Sequence, residues 1–261
     1  MDPYRNPFAP GAGSRPPELA GRDAILDNAK IACGRALLGR NARSMMLLGL
    51  RGTGKTVLLN EIGRIAEGEG YLVSKIEAPE HENLAHLLYP EMRKVLRSLS
   101  TIEAAKQLAT RALRGLRGFA SIFKIEVGGA EVGVEPEPGL ADSGDIQFDL
   151  PDLFTAIGRA AKAGGKGWLL LIDEVQYLSQ SDLSALIVAI HRISQDGLPV
   201  LMVGAGLPQI ARLAGEAKSY SERLFLYPGV GALDQASAEQ AVKKPILDEE
   251  ASIAPAALTE I

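Results

Sequence analysis

The run Gly49-Leu50-Arg51-Gly52-Thr53-Gly54-Lys55-Thr56 matches the pattern G-x-x-x-x-G-K-[ST] and directly follows an apolar segment. Glycines suit a loop that curls its N–H groups around an anion, because the torsions required there exclude a Cβ. Lys55 supplies a positive charge to the outer phosphates, Thr56 offers a hydroxyl to Mg²⁺, and a following helix directs its positive dipole end at the same anion. A helical apolar pattern does follow, in residues 57–65, which argues against a coincidental glycine-rich turn. The run therefore predicts a phosphate-binding loop.

The candidate nucleotide-binding residues lie in and just after this loop. They are Gly49, Arg51, Gly52, Thr53, Gly54, Lys55, Thr56 and Val57.

A second motif, Trp168-Leu169-Leu170-Leu171-Ile172-Asp173-Glu174, is an apolar run that ends in two acids. It is typical of a buried parallel strand whose carboxyl end opens onto a ligand crevice. We expect Asp173 and Thr56 to serve the magnesium ion, and Glu174 to polarise the attacking water, with Lys55 as a second catalytic candidate. A nucleoside kinase shares the loop but has less use for a water-activating glutamate, so the pair favours a nucleoside triphosphatase. If Asp173 and Glu174 are instead surface residues away from the loop, the loop binds nucleotide but these acids take no part in hydrolysis.

Composition narrows the class of protein. Of 261 residues, 46% are hydrophobic and 23% charged, as in ordinary globular domains. The formal net charge of −4 argues against general coating of nucleic acid, although a local basic patch stays open. Cys33 is the sole cysteine, which excludes an intrachain disulfide and favours a reducing compartment. The chain starts with no leader pattern, and no apolar run approaches the roughly 20 residues that cross a bilayer. We expect a cytoplasmic protein with no membrane partner.

The order of elements predicts an α/β fold with a parallel sheet covered on both faces. A Pro/Gly-rich arm is expected at 1–21, a nucleotide-binding core at 22–228 and a partial helical lid at 229–261. Asp23 is the predicted N-cap of the first helix. The predicted strands are 45–48, 71–76, 169–172 and 200–203, and the predicted core helices after the first are 56–66, 84–99, 150–162 and 183–194.

Residues 123–134 interrupt the alternation of strands and helices, because apolar and polar side chains alternate there on both sides of Gly128-Gly129. The alternation predicts a β-hairpin inserted at about 122–136. Four basic residues precede it: Arg111, Arg114, Arg117 and Lys124. They are either a stripe that contacts DNA phosphates or a solvated helix face, and the acidic residues of the hairpin favour the second interpretation.

Residues Glu18-Leu19-Ala20-Gly21-Arg22-Asp23 resemble the hydrophobic-x-Gly-Arg-acid box that precedes the phosphate loop in AAA+ ATPases of the origin-recognition and initiator-like group, and in the related STAND signalling ATPases. The resemblance extends from about residue 18 to 241. It implies an AAA+ core, ATP and Mg²⁺ as cofactors, and an adenine site at Leu19, Ala20 and Gly21, with Arg22 supporting the loop. The segment 219–225 resembles the one that carries the arginine finger, which implies Arg223 as a catalytic residue acting on a neighbouring subunit. The alternative for Arg223 is a surface ion pair with Glu216 or Glu222.

Two departures from the family pattern limit what the resemblance implies. The strand at 200–203 runs into Gly204-Ala205-Gly206, where AAA+ proteins usually carry a polar residue, and Gln209 is the nearest substitute. The lid contains one complete predicted helix, at 236–242. A short lid predicts a mainly monomeric chain with a low basal ATPase rate, although a homo-oligomer stays open.

Three functions remain open on the sequence. The first is an ATPase that couples nucleotide state to assembly or to the remodelling of a DNA or protein partner. The second is a STAND-like switch locked by bound nucleotide, with little turnover. The third is a core that keeps nucleotide as a structural element. Glu174 favours turnover, whereas the missing polar residue near Gly204 favours a switch. The chain lacks an Asn-Lys-x-Asp box for guanine, so ATP is the expected nucleotide.

Overall fold

The computed structural model describes residues 6–8, 16–80, 82–125 and 137–258, and these form a five-stranded sheet flanked by helices. The strands are β1 (Ser44–Leu48), β2 (Tyr71–Glu77), β3 (Gly167–Asp173), β4 (Val200–Gly206) and β5 (Phe225–Leu226). Their spatial order is β2-β3-β4-β1-β5, and all neighbours run parallel. The carboxyl ends of β1, β3 and β4 therefore meet at one edge, where ligands of such sheets bind.

Helices cover both faces of the sheet. They are α1 (Asp23–Leu37), α2 (Lys55–Gly68), α3 (Leu84–Ser100), α4 (Lys106–Ile122), α5 (Ile146–Ala163), α6 (Gln180–Gln195), α7 (Ile210–Ala217), α8 (Ser221–Leu224), α9 (Gln235–Asp248) and α10 (Pro255–Leu258). Successive strand side chains point to opposite faces. Met45 and Leu47 join one core cluster with α1 and α2, whereas Met46 joins the other with α3 to α7. The predicted α/β fold, a parallel sheet covered on both faces, is confirmed.

Two buried side-chain hydrogen bonds connect β2 to its neighbours. Trp168 Nε1 donates to Ser74 Oγ at 3.1 Å and joins β3 to β2. Tyr71 Oη donates to the carbonyl oxygen of Cys33 at 2.9 Å and joins β2 to α1. Burial, reinforced by the charge of Glu69, raises the pKa of the Cys33 thiol to about 12. Trp168 and Tyr71 belong to the two different core clusters, and each buried donor has an acceptor.

Several predicted boundaries differ from the structure, and three of the differences have a local physical cause. Asp23 as an N-cap is wrong: Arg22 holds the cap position and makes no side-chain cap bond, while Asp23 lies in the first turn of α1, where its charge still suits the helix dipole. Helix α5 begins four residues before the predicted start, because Asp145 Oδ1 accepts the N–H of Gln147 at 2.9 Å. Strand β4 continues to Gly206, because it pairs with β1 over that length.

The predicted hairpin falls largely on residues 126–136, which lie outside the described residues, and Phe123–Ile125 form a turn after α4. The predicted lid helix at 236–242 is longer in the structure, since α9 runs from Gln235 to Asp248 and begins with Asp234 accepting the N–H of Ser237 at 2.8 Å. Within the described ranges, no helix combines the length and apolarity needed to span a bilayer.

Candidate nucleotide-binding site

The loop between β1 and α2 depends on its glycines for two different reasons. Gly52 and Gly54 have φ values of +80° and +88°, which side chains with a Cβ rarely adopt. Gly49 instead lacks space, because a Cβ there would lie 2.2 Å from the carbonyl oxygen of Val230. The backbone can therefore turn sharply at 52–54 while it stays in contact with the segment after β5.

Lys55 is the first residue of α2 and is 6% exposed. Its Nζ donates to the carbonyl oxygens of Gly49 at 2.9 Å and Leu50 at 2.7 Å, so the ammonium lies within the curve of the loop. The N–H of Leu58 makes the first intrahelical bond, to Gly54, at 3.0 Å. The N–H groups of residues 55–57 precede it and remain available to an anion at the helix N-terminus.

Asp173 connects the end of β3 to this loop. Its Oδ2 accepts a hydrogen bond of 2.6 Å from Thr56 Oγ1, and its Oδ1 accepts the N–H of Glu174 at 3.0 Å. Asp173 is 4% exposed. The two predicted magnesium residues thus meet in the fold, and their hydroxyl and carboxylate oxygens are the kind of ligand that Mg²⁺ prefers.

Glu174 turns the chain out of β3 with φ 54° and ψ 41°, a region that non-glycine residues seldom occupy. A 3₁₀ turn, Val175–Tyr177, follows. Within it, Gln176 Nε2 donates to the carboxylate of Glu174, and Gln176 Oε1 accepts the N–H of Leu207 at 3.2 Å. Tyr177 Oη accepts a hydrogen bond of 2.8 Å from Arg51, which links the loop to the same turn. Sequence reasoning missed Gln176 and Tyr177.

The carboxyl end of β4 has no room for a polar side chain. A Cβ on Gly204 would lie 2.5 Å from Met46 Sδ and 2.9 Å from Val175 Cγ2. A Cβ on Gly206 would lie 2.2 Å from Gln176 Oε1. Gln209, the predicted substitute, is exposed just before α7 and does not fill this place. The departure seen in the sequence therefore has a packing cause.

One of the predicted adenine residues, Gly21, lies beside α9. Ala20 is buried, and a Cβ on Gly21 would lie 2.7 Å from Ser237 Oγ of α9. Arg22, predicted to support the loop, donates from Nη2 to the carbonyl oxygen of Gly231 at 2.6 Å. That carbonyl belongs to the segment after β5, which is paired to the end of β1.

The segment at 228–230 runs alongside the end of β1, the strand that leads into the phosphate loop. The N–H of Leu48 donates to Pro228 O at 3.0 Å, and the N–H of Val230 donates to Leu48 O at 2.6 Å. Arg22 is thereby linked, through Gly231, to a segment that contacts the phosphate loop at Gly49. A base site at Leu19, Ala20 and Gly21 stays a prediction.

Arg223 is the predicted residue that the structure does not bring to the site. It is exposed in α8, and neighbouring Phe225 pairs with Ser44 at the amino end of β1. At about 3.3 Å a residue, the length of β1 separates it from Gly49 by roughly 16 Å. Glu216, one of the two acids offered as its surface partner, accepts a 2.6 Å bond from Arg212.

The basic stripe on α4 is partly neutralised within the chain. Arg111 Nε donates to Glu137 Oε1 at 3.0 Å, and Arg117 also has an interaction partner, whereas Arg114 is exposed. The stripe therefore carries less unpaired charge than its sequence suggests, and no DNA surface is inferred from it.

A family model described as AAA ATPase domain matches residues 18–203. Among solved structures, CDC6P from Pyrobaculum aerophilum is 16% identical, with a TM-score of 0.50 over 92% of this chain and 52% of that one. Drosophila ORC bound to DNA is 13% identical, with a TM-score of 0.50 over 88% of this chain and 48% of that one. AMPPCP-bound DnaA from Aquifex aeolicus is 15% identical, with a TM-score of 0.47 over 97% and 57%.

The chain thus spans about half the length of these three structures. At such low identity the likeness concerns the fold alone. None of the curated proteins compared with the sequence is a match.

Proposed function

This chain belongs to the AAA ATPase domain family, and we propose that it binds ATP with Mg²⁺, hydrolyses it slowly, and couples the nucleotide state to assembly or to the remodelling of a DNA or protein partner. The hydrogen bond between Thr56 and Asp173 carries the proposal. It unites the phosphate loop with the acidic strand end, and Glu174 follows directly.

The residues present fit a nucleoside triphosphate and its ion. Thr56 and Asp173 would hold Mg²⁺, which would neutralise charge on the β- and γ-phosphates. Lys55 would contact the outer phosphate oxygens, and the N–H groups at the start of α2 would bind the phosphates nearest the loop. Leu19, Ala20 and Gly21 would contact the base beside α9.

Glu174 would orient and polarise a water for attack on the γ-phosphorus. The water oxygen forms a bond to that phosphorus while the bond to the β,γ-bridging oxygen breaks, which releases ADP and phosphate. We propose slow turnover for two reasons. Strand β4 offers no polar side chain at its carboxyl end, and Arg223 lies at the other end of β1 within one chain.

A nucleotide-locked switch is the second candidate, and the glycines of β4 favour it. The base site adjoins the lid, since Gly21 packs against Ser237 and Arg22 binds Gly231. A bound nucleotide would therefore influence the position of α9 without any need for hydrolysis.

The test combines calorimetric binding of ATP, ADP and GTP with steady-state phosphate release, with and without double-stranded DNA. We expect Mg-dependent ATP binding and slow release of phosphate. Binding without release would select the switch. A folded protein that binds no nucleotide would refute both candidates.

A further inference from the structure

We propose that Gln176 is a positioning residue, which holds the Glu174 carboxylate and couples it to the end of β4. The inference rests on the proposed hydrolysis, because it assigns Glu174 its role with water. It concerns a residue of the 3₁₀ turn after β3 and not of the neighbouring strand β4.

The contacts of Gln176 require a group that donates at one end and accepts at the other. Its Nε2 donates to the Glu174 carboxylate, and its Oε1 accepts the N–H of Leu207 at 3.2 Å. A carboxylate in its place would accept from Leu207 but would repel Glu174, and an ammonium would donate to Glu174 but leave the N–H without an acceptor. An amide satisfies both partners.

The space for this amide exists because β4 ends in glycine. A Cβ on Gly206 would lie 2.2 Å from Gln176 Oε1 and 2.3 Å from Ile210 Cδ1. The side chain of Gln176 thus occupies the volume that a residue of β4 would otherwise fill. The polar group beside Glu174 is therefore supplied by the turn after β3 and not by β4.

The backbone places both residues on one rigid turn. Glu174 has φ 54°, and its carbonyl oxygen accepts the N–H of Tyr177 at 3.0 Å. Gln176 therefore has little freedom to leave Glu174 unless the end of β4 moves with it. A displacement of Leu207 would change the position of the Glu174 carboxylate through two hydrogen bonds.

The variant Gln176→Leu removes both bonds with little change in volume, and Gln176→Glu removes only the donor. Both should keep ATP affinity within about twofold, since neither touches the phosphate loop. Turnover should fall about tenfold to a hundredfold, as expected for the loss of a hydrogen bond to a charged group. Gln209→Leu is the matched control and should match the parental rate.

A double-mutant cycle separates positioning from a general structural role. In the Glu174→Gln background, Gln176→Leu should cost no further turnover, because the group it positions no longer polarises water. Additive losses, or parental turnover in Gln176→Leu alone, would overturn the inference. A fall in melting temperature with lost ATP affinity would assign Gln176 to stability, which also overturns it.

Amide hydrogen exchange at Leu207 tests the contact without turnover. Exchange should accelerate at least about tenfold in Gln176→Leu and stay slow in Gln209→Leu. Equal exchange in the parental protein and Gln176→Leu would overturn the inference. A parental protein that binds ATP but releases no phosphate would instead refute the proposed hydrolysis, and the exchange data would then decide the contact alone.

Discussion

Thr56 donates a hydrogen bond of 2.6 Å from Oγ1 to Oδ2 of Asp173, although 117 positions separate the two residues. One residue lies in the first turn of the helix after β1 and the other ends β3, with β4 between those strands in the sheet. The proposed ion site therefore depends on two strands that are not adjacent in the sheet. The residues proposed to bind the ion can be tested separately from those proposed to bind phosphate.

Asp173→Asn should raise the Mg²⁺ concentration needed for half-maximal ATP binding by at least about tenfold. The amide oxygen can still accept from Thr56, but the negative charge that attracts the ion is lost. Magnesium titration of ATP binding measures the effect. Thr56→Ser keeps the hydroxyl and should behave as the parental protein, whereas equal magnesium dependence in Asp173→Asn would contradict the site.

Lys55→Ala should abolish measurable Mg-ATP binding and leave the fold intact. The substitution removes a charge-assisted contact and leaves anionic oxygens without a partner. Calorimetry measures the affinity, and circular dichroism confirms the fold. Lys75→Ala is the matched control, because Lys75 lies on β2 and donates to Asn60 at 2.6 Å. A well-folded Lys55→Ala protein with parental affinity would refute the phosphate site.

Glu174→Gln should retain ATP affinity and lose turnover by about two orders of magnitude or more. The amide preserves size and a dipole but cannot act as the carboxylate that polarises water. Phosphate release at saturating ATP measures the loss, and nucleotide titration shows that binding survives. Hydrolysis at the parental rate would mean that the catalytic role belongs to another residue.

Arg223→Ala should leave ATP affinity unchanged in dilute protein, because Arg223 lies at the amino end of β1, away from the loop of its own subunit. If subunits assemble, turnover per subunit should rise with concentration and fall in Arg223→Ala. A mixture of Arg223→Ala and Glu174→Gln chains should then recover activity. Arg212→Ala serves as a control, and a rate independent of concentration in active protein would exclude an intersubunit role.

The free energy of unfolding should fall as pH rises above about 9. Burial raises the pKa of Cys33 from its ordinary 9.0 to about 12, so the unfolded chain loses this proton first. Stability from this group is complete below pH 9 and decreases towards pH 12, by up to about 1.4 kcal/mol per pH unit. Urea unfolding at pH 7 to 10.5 measures the slope. Cys33→Ala should show a shallower slope, and an equal slope would contradict the assignment.

The parts of the site that can be predicted from the sequence are those formed by consecutive residues. The loop at 49–56 and the acids at the end of β3 carry their chemistry in local order, and the structure brings both to one edge of the sheet. Their roles stay predictions. Gln176 was missed because its partners, Glu174 and Leu207, meet only after β4 aligns beside β3. The segment at Val230 was missed for the same reason, since its contact with Gly49 depends on pairing with β1.

The error at Asp23 has a different origin. Aspartate is a favoured N-cap, but it also suits the first turn, and local preference does not separate adjacent positions. The start of α5 shows the same limit, because Asp145 caps the helix ahead of the residues that were expected to open it. Where two nearby residues can both serve as the N-cap, contacts with the rest of the chain decide at which one the helix begins.

The shared volume of Gly206 and Gln176 has a consequence for how this family can diverge. An alanine at 206 would collide with the amide, so that substitution is disfavoured while glutamine remains at 176. Replacement of Gln176 by a shorter residue removes one of two obstacles, because Ile210 Cδ1 would lie 2.3 Å from the same Cβ. Substitutions along a lineage should therefore occur in one order, with 176 and 210 changing before 206. In an alignment of relatives, a side chain at 206 and a glutamine at 176 should exclude each other.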